Sequence, residues 1–154
     1  MGNVEKKLAE MGYELPSAPP PVANYISGYR AGNLVFLSGV ACRGTGGNLV
    51  LGKLGRDVSI EQGYEAARFC ALNLLANLKG IIGDLDKVKH IVKVLGMVNG
   101  TPDFDQQPAV INGCSDLLVG VFGEKGRHGR AAVGMGSLPM GMAVEIEMIV
   151  EIEG

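Results

Sequence analysis

Apolar and charged residues alternate near the end of the chain. Between residues 144 and 150 every even-numbered residue is apolar, and Glu145 and Glu147 lie between them. A two-residue period is typical of a strand that buries one face. A second strand-like run, 129–133, precedes it across a turn, and Arg130 stands at its start. We therefore expect an arginine and a carboxylate to face the same cavity.

Two other segments have the period of amphipathic helices. The first is predicted to begin after Asp57 or Ser59, where Ser59 and Gln62 match a capping box, and to end near Gly80. The residues of its apolar stripe are Tyr64, Ala67, Ala71, Leu74, Leu75 and Leu78. This stripe is wide enough to pack on a sheet.

The second helix is predicted to be capped by Asp103 or Asp105, with Pro108 in its first turn and Gly123 at its end. Its core stripe consists of Val110, Cys114, Leu117, Leu118 and Val121. A helix of this kind also needs an apolar surface to cover.

The remaining patterns indicate strands. Residues 23–29 and 34–40 predict a hairpin around a turn at 30–33, and 49–51 predict a short third strand. The near-continuous apolar stretch 88–98 is typical of a strand buried on both faces.

The predicted order is β-β-β-α-β-α-β-β, an α+β fold with two helices on one face of a mixed sheet. No segment remains to cover the other apolar face. A partner subunit is the simplest cover.

The first 22 residues are predicted to be an extension, and residues 23–154 a single domain. Asn3–Met11 has helical spacing, whereas Pro16 and Pro19–Pro21 require extended backbone. At 154 residues the chain is long enough for one core.

Composition narrows the function classes. Fourteen basic and sixteen acidic residues give a net charge of −2, which disfavours a nucleic-acid grip. Three widely spaced cysteines indicate core thiols in a reducing compartment rather than disulfides or zinc ligands. No stretch reaches the ~18 apolar residues of a membrane span, and the charged start lacks a secretory signal. We therefore predict a cytoplasmic protein with no membrane partner.

Several motifs resemble the YjgF/Rid family of reactive-intermediate imine deaminases, formerly called endoribonuclease L-PSP. They are Leu37-Ser38-Gly39, Gly52-Lys53, the helix 62–78, Asp103-Phe104 before Asn112, and Arg130 followed by Leu138-Pro139 and Val144-Glu145-Ile146-Glu147. The resemblance covers roughly residues 25–151. The N-terminal extension resembles that of a side branch.

The resemblance implies a chorismate-mutase-like fold and a homotrimer whose sheets close into a barrel, with clefts between subunits. Arg130 matches the arginine that binds the substrate carboxylate, and Glu145 the glutamate that activates water. Tyr25 matches a cleft tyrosine from the neighbouring subunit, and Asn112 an asparagine near the site. The implied reaction is hydrolysis of 2-aminoacrylate and related imines to 2-keto acids and ammonia. Neither a metal nor a cofactor is implied.

Three positions depart from the family pattern. The family's Pro-Ala-Arg-Ser becomes His128-Gly129-Arg130-Ala131, a common cysteine becomes Ala132, and the glutamine after Ser-Gly becomes Val40. A changed pocket wall could alter the substrate or abolish turnover.

The residues also leave alternatives open. Arg130 could serve an ion pair, Glu145 and Glu147 a solvated strand face, Tyr25 simple packing and Asn112 a helix surface. His128 could be a solvated loop residue or an acid or base. At the level of function, the rivals are an endoribonuclease and a non-catalytic trimer that binds a small carboxylate or stabilises proteins.

Overall fold

The computed structural model describes residues 1–18, 20 and 23–154. Pro19 and Pro21 of the predicted extended stretch lie outside the described residues. The regular elements are α1 (Asn3–Glu10), β1 (Gly28–Ala31), β2 (Leu34–Leu37), β3 (Val40–Ala41), α2 (Ile60–Ile82), β4 (Val88–Asn99), α3 (Gln107–Phe122), β5 (Gly129–Met135) and β6 (Val144–Ile152). Short 3-10 turns are found at Leu85–Lys87, Gly123–Gly126 and Pro139–Gly141.

The strands form one mixed sheet in the order β1-β2-β6-β4-β5, and β3 also pairs with β6. Only the pairing of β4 with β5 is parallel among these neighbours. Helices α2 and α3 pack against each other and contact the sheet. The predicted α+β class, element order and mixed sheet are confirmed.

The core lies between the two helices and the even-numbered side of β6. Val144, Ile146, Met148, Val150 and Ile152 are all buried. The predicted stripe of α2 is also buried except for Tyr64, which is partly exposed. At the start of α2 the capping box is complete, because the Ser59 hydroxyl accepts from Gln62 N–H and the Gln62 side chain accepts from Ser59 N–H.

The predicted third strand at 49–51 is wrong. The third strand is Val40–Ala41, which continues along β6 after a break at Ser38-Gly39. Leu49 and Leu51 make only single bridges to Arg43 and Met142. This segment folds back beside the end of β3 and finds too few partners for a ladder.

The predicted cap of α3 is also wrong. The helix begins at Gln107, and the capping position is Gln106, which makes no side-chain cap bond. A turn from Thr101 to Phe104 brings the chain into the helix, and the Gln107 side chain donates to the Phe104 carbonyl instead. Pro108 lies in the first turn, as predicted.

The face of the sheet opposite the helices is open and partly apolar. Tyr29, Phe36 and Val133 lie on it and are 65%, 43% and 38% exposed. Leu95 and Met97 of β4 are only half-buried there. Within a single chain β4 is therefore buried on one face, whereas its apolar stretch predicted burial on both.

Helix α1 is attached to the body of the fold. The Asp86 carboxylate accepts hydrogen bonds from Asn3 N–H and Val4 N–H at 2.8 and 2.9 Å, which supplies the cap that Gly2 does not. Leu8 is buried, and Glu5 pairs with Lys79 at 2.9 Å. In the described part of the chain, no helix has the length and apolar character needed to cross a bilayer.

A glycine allows α2 and α3 to approach closely, and this gives a first prediction. A Cβ on Gly113 would overlap the Tyr64 backbone carbonyl, whereas a Cβ on Gly80 would meet open space. Gly113→Ala should lower the free energy of unfolding by about 2 kcal/mol or more because backbone must shift. Gly80→Ala should leave it unchanged or raise it by up to about 1 kcal/mol. Urea unfolding of both variants measures the difference, and equal stabilities would contradict the close packing.

Candidate active site

The predicted site residues lie in three places within the chain. Arg130 on β5 and Asn112 on α3 come together at one edge of the sheet. Glu145, at the start of β6, pairs with Ala41 and Met97. Tyr25 precedes β1 at the other edge of the sheet.

The Arg130 guanidinium is held through one nitrogen. Its Nη1 donates to Asn112 Oδ1 at 2.8 Å and to Ser115 Oγ at 3.1 Å. Asn112 and Ser115 are three residues apart on α3, so they occupy one face of the helix. Asn112 therefore orients Arg130, a contact that the sequence did not specify.

The opposite edge of the guanidinium remains open. Both Nη1 protons are used by α3, and within residues 1–18, 20 and 23–154 neither a carboxylate nor another acceptor engages Nε or Nη2 of Arg130. A guanidinium edge with two parallel N–H groups matches the two oxygens of a carboxylate. The arrangement is suited to binding a small carboxylic acid.

A serine and a histidine extend this cluster. His128 Nε2 lies 2.9 Å from Ser115 Oγ, and His128 Nδ1 lies 2.6 Å from the Gly126 carbonyl oxygen. Burial lowers the pKa of His128, and the nearby Arg130 and His90 lower it further, although the bond to Gly126 opposes the shift. Sequence reasoning missed Ser115; its spacing from Asn112 is the only signal it offers.

Glu145 is half-buried and lies on the open side of the sheet. Burial raises the pKa of its carboxyl, and the neighbouring Glu147 raises it further. A Cβ on Gly39 would overlap the Glu145 carboxylate, so the Ser38-Gly39 pair leaves room for it. In the described residues no hydrogen bond or ion pair neutralises this group, which leaves it available as a base.

Tyr25 and Gly39 line a cavity of about 500 Å³. Gly39 is the residue that packs against the Glu145 carboxylate. Ser38, Val40 and Asn77 also line the cavity. Tyr25 itself is 50% exposed. The Asn77 side-chain oxygen is buried without a hydrogen-bond partner in the described residues.

Arg130 and Glu145 do not share a cavity within one chain. Arg130 lies beside Val94 on the helix-covered side, whereas Glu145 lies beside Met97 on the open side. Three residues along the strands and two strands across correspond to roughly 14 Å between their Cα atoms. The expectation of a common cavity is therefore wrong for the single chain.

The cysteines contribute no reactive thiol. Cys42, Cys70 and Cys114 are buried and free. Burial raises the pKa of Cys114 to about 12, and it also raises that of Cys70. Among the residues that the structure describes, no group of three or more His, Cys, Asp or Glu side chains is arranged to hold a metal ion.

Comparison with known proteins defines the class. The model of a family described as "YjgF/chorismate mutase-like, putative endoribonuclease" matches residues 5–152. The chain belongs to this YjgF/Rid family, and solved structures that resemble it include proteins named RidA and endoribonuclease. The resemblance found in the sequence and the chorismate-mutase-like fold are confirmed.

Three relatives are similar over nearly their whole length. Protein TCP17 of Trypanosoma cruzi is 41% identical over 98% of this chain and 95% of its own. The structure of Atu1372 from Agrobacterium tumefaciens, of unknown function, is 45% identical with a TM-score of 0.91, over 97% of this chain and 92% of that one. The structure of a protein from Shewanella oneidensis, described as "a putative endoribonuclease", is 31% identical with a TM-score of 0.93, over 98% of this chain and 100% of that one.

The half-buried carboxylate of Glu145 gives a second prediction. Its folded-state pKa is raised, so its contribution to stability is favourable at low pH and is lost as pH rises through that pKa. Glu145→Gln should therefore be more stable than the wild type at pH 7, and the difference should vanish near pH 4. Thermal unfolding across this range measures it. Glu147→Gln removes only the second cause of the shift, the repulsion from an exposed neighbour, so it should give a smaller gain. An equal gain in both variants would contradict the assignment.

Proposed function

We propose that this protein is a hydrolase that deaminates small 2-imino or enamine acids, such as 2-aminoacrylate, to 2-keto acids and ammonia. The observation that carries the proposal is the Arg130 guanidinium, which is held on one edge by α3 and open on the other. Such an edge binds a carboxylate through two hydrogen bonds. The chain belongs to the YjgF/Rid family, and the resemblance of its motifs to the imine deaminases of that family supports the same reaction.

Glu145 supplies the general base in this proposal. Water attacks the imine carbon while its proton passes to the Glu145 carboxylate. The electron pair of the C=N bond passes to the nitrogen, which takes a proton from solvent and gives a carbinolamine. Glu145 then returns its proton to the amino group. The hydroxyl oxygen loses its proton to water and forms the carbonyl, and the carbon–nitrogen bond breaks to release ammonia. A carboxylate whose pKa is raised by burial is a stronger base than an exposed one, which favours this role.

The site is proposed to form between subunits of a homotrimer. The apolar open face, including Phe36 and Val133, would be covered by the neighbouring chain. The carboxylate clamp at β5 would then meet Tyr25 and Glu145 of the next subunit, which removes the separation seen within one chain. Three closed interfaces of this kind form a ring.

Two departures bear on the substrate. Val40 lines the cavity beside Tyr25, and Ala132 follows Arg130 on β5. Neither residue is needed for the carboxylate clamp or for the base, so the chemistry is retained while the side-chain pocket changes. The three buried free thiols are consistent with a reducing compartment, and we place the activity in the cytoplasm.

The rivals remain testable. A non-catalytic carboxylate-binding protein is favoured by one observation, namely that the clamp of Arg130 and α3 is complete without Glu145. The endoribonuclease activity in the names of the family and of one relative would need a cationic track, which a net charge of −2 does not favour.

The third prediction separates the roles of the two charged residues. Arg130→Lys keeps the charge but loses the two-bond geometry, so pyruvate binding and 2-aminoacrylate turnover should both fall by at least about tenfold. Glu145→Gln should reduce turnover by roughly 100-fold, the usual scale of general-base catalysis, and leave pyruvate binding close to wild type. Calorimetry and coupled decay of 2-aminoacrylate provide the two readouts.

The outcomes discriminate between the candidates. A wild-type protein that binds pyruvate but does not accelerate imine decay would show that the protein binds carboxylates without catalysing the reaction. Full activity in Arg130→Lys would contradict the proposal that Arg130 binds the substrate carboxylate through two hydrogen bonds. RNA cleavage that purifies at constant specific activity and disappears in Arg130→Ala would favour the nuclease.

The fourth prediction concerns assembly. Sedimentation equilibrium at micromolar concentration should give the mass of about three chains, because the open face is apolar. Phe36→Glu, on that face, should yield monomers, whereas Val119→Glu, at a similarly exposed position on α3, should not. A stable wild-type monomer would contradict the shared site.

A further inference from the structure

The hydrogen bonds around Ser115 have only one consistent direction. The Gly126 carbonyl can only accept, so His128 Nδ1 carries the proton and donates to it. In neutral His128, Nε2 is then an acceptor, and Ser115 donates its single hydroxyl proton to it. The lone pairs of Ser115 Oγ are left to accept from Arg130 Nη1.

The far end of this chain of bonds is fixed by backbone. A Cβ on Gly126 would overlap the Leu118 carbonyl, so Gly126 is packed directly on α3. The Gly126 carbonyl consequently has a defined position, and its hydrogen bond with Nδ1 fixes the orientation of the His128 ring. Both ring nitrogens of His128 are occupied, and neither reaches open space as an acid or base would require.

We propose that His128 is a positioning residue that acts through Ser115 to hold the Arg130 guanidinium with its Nε–Nη2 edge toward the substrate carboxylate. The inference rests on the proposed function for the carboxylate, but the positioning itself is a property of the free protein. It assigns a role to the histidine that replaces proline in the family pattern.

Protonation of His128 would reverse the direction of its hydrogen bond with Ser115. Nε2 would become a donor, and Ser115 would have to accept from both the ring and Arg130 while two cations faced each other across one hydroxyl. The charged or titratable groups acting on the ring are Arg130 from β5 and His90 from β4. The acidic residue of α3, Asp116, accepts a hydrogen bond from the Tyr64 hydroxyl at 2.7 Å. Binding of the carboxylate should therefore weaken as pH falls.

A matched pair of variants isolates the acceptor at Nε2. A glutamine side chain places its oxygen near the position of Nε2, so His128→Gln keeps an acceptor for Ser115 that does not titrate. Asparagine reaches only the position of Nδ1, so His128→Asn keeps a donor for Gly126 and leaves Ser115 without its partner. Ser115→Ala removes the link itself.

The first readout needs no substrate. In ¹⁵N-labelled protein without ligand, rotation of the Arg130 guanidinium should be slow in the wild type and in His128→Gln. It should be faster in His128→Asn and Ser115→Ala, where only the bond to Asn112 remains firmly placed. The His128 ring signals should show the Nδ1–H tautomer. Averaged rotation in the wild type, or rotation in Ser115→Ala that is as slow as in the wild type, would overturn the proposal.

The second readout is pyruvate affinity between pH 5 and 8. Ser115→Ala and His128→Asn should each weaken binding at pH 8 by about tenfold, the scale of one hydrogen bond to a charged group, and the double variant should bind no more weakly than either. His128→Gln should bind like the wild type at pH 8 and lose the weakening at low pH. Wild-type-like affinity in Ser115→Ala would contradict the role.

The two readouts distinguish this inference from the proposed function. If no 2-keto acid binds the wild type while rotation of Arg130 depends on Ser115 as described, the deaminase proposal fails and the positioning stands. If the wild type binds pyruvate and hydrolyses 2-aminoacrylate, but neither the rotation of Arg130 nor pyruvate affinity changes in the Ser115 and His128 variants, only the positioning role fails.

Discussion

The hydrogen bonding of β6 is the constraint on which the rest of the structure depends. This strand pairs with β2, β3 and β4, so its hydrogen bonds fix the positions of three other strands of the sheet. Its two-residue alternation assigns even positions to the core beneath α2 and α3 and odd positions, including Glu145, to the open face. A shift of one residue would bury the glutamates and expose the core, so the register is strongly specified.

Features that depend on local pattern could be predicted from the sequence. The alternation of β6, the Ser59–Gln62 capping box and the two helical stripes all have a period or a fixed spacing, and each was found where expected. The short third strand could not be placed, because a two-residue ladder on β6 leaves no periodic signal. The start of α3 was missed because a turn ending in the Gln107 side-chain bond replaced the aspartate cap.

The candidate site was only half predictable for a related reason. Arg130 and Glu145 stand out by charge, but the faces on which they lie depend on pairing between strands far apart in sequence. Ser115 gives no signal beyond its spacing from Asn112, because its importance arises from contacts with His128 and Arg130 across two elements. The sequence pattern predicts Arg130 and Glu145 in one cavity, but the strand pairing separates them within the chain. The proposed site therefore needs residues from two subunits.

The most direct test of that proposal is complementation between inactive variants. Arg130→Ala and Glu145→Gln proteins would be unfolded, mixed in equal amounts and refolded, and 2-aminoacrylate hydrolysis measured. If each site takes its arginine and its glutamate from different chains, about one site in four in randomly assembled trimers contains both native residues. The account predicts recovery of about a quarter of wild-type activity. Activity no higher than that of the separately refolded variants, with mixed trimers present, would contradict a site shared between subunits.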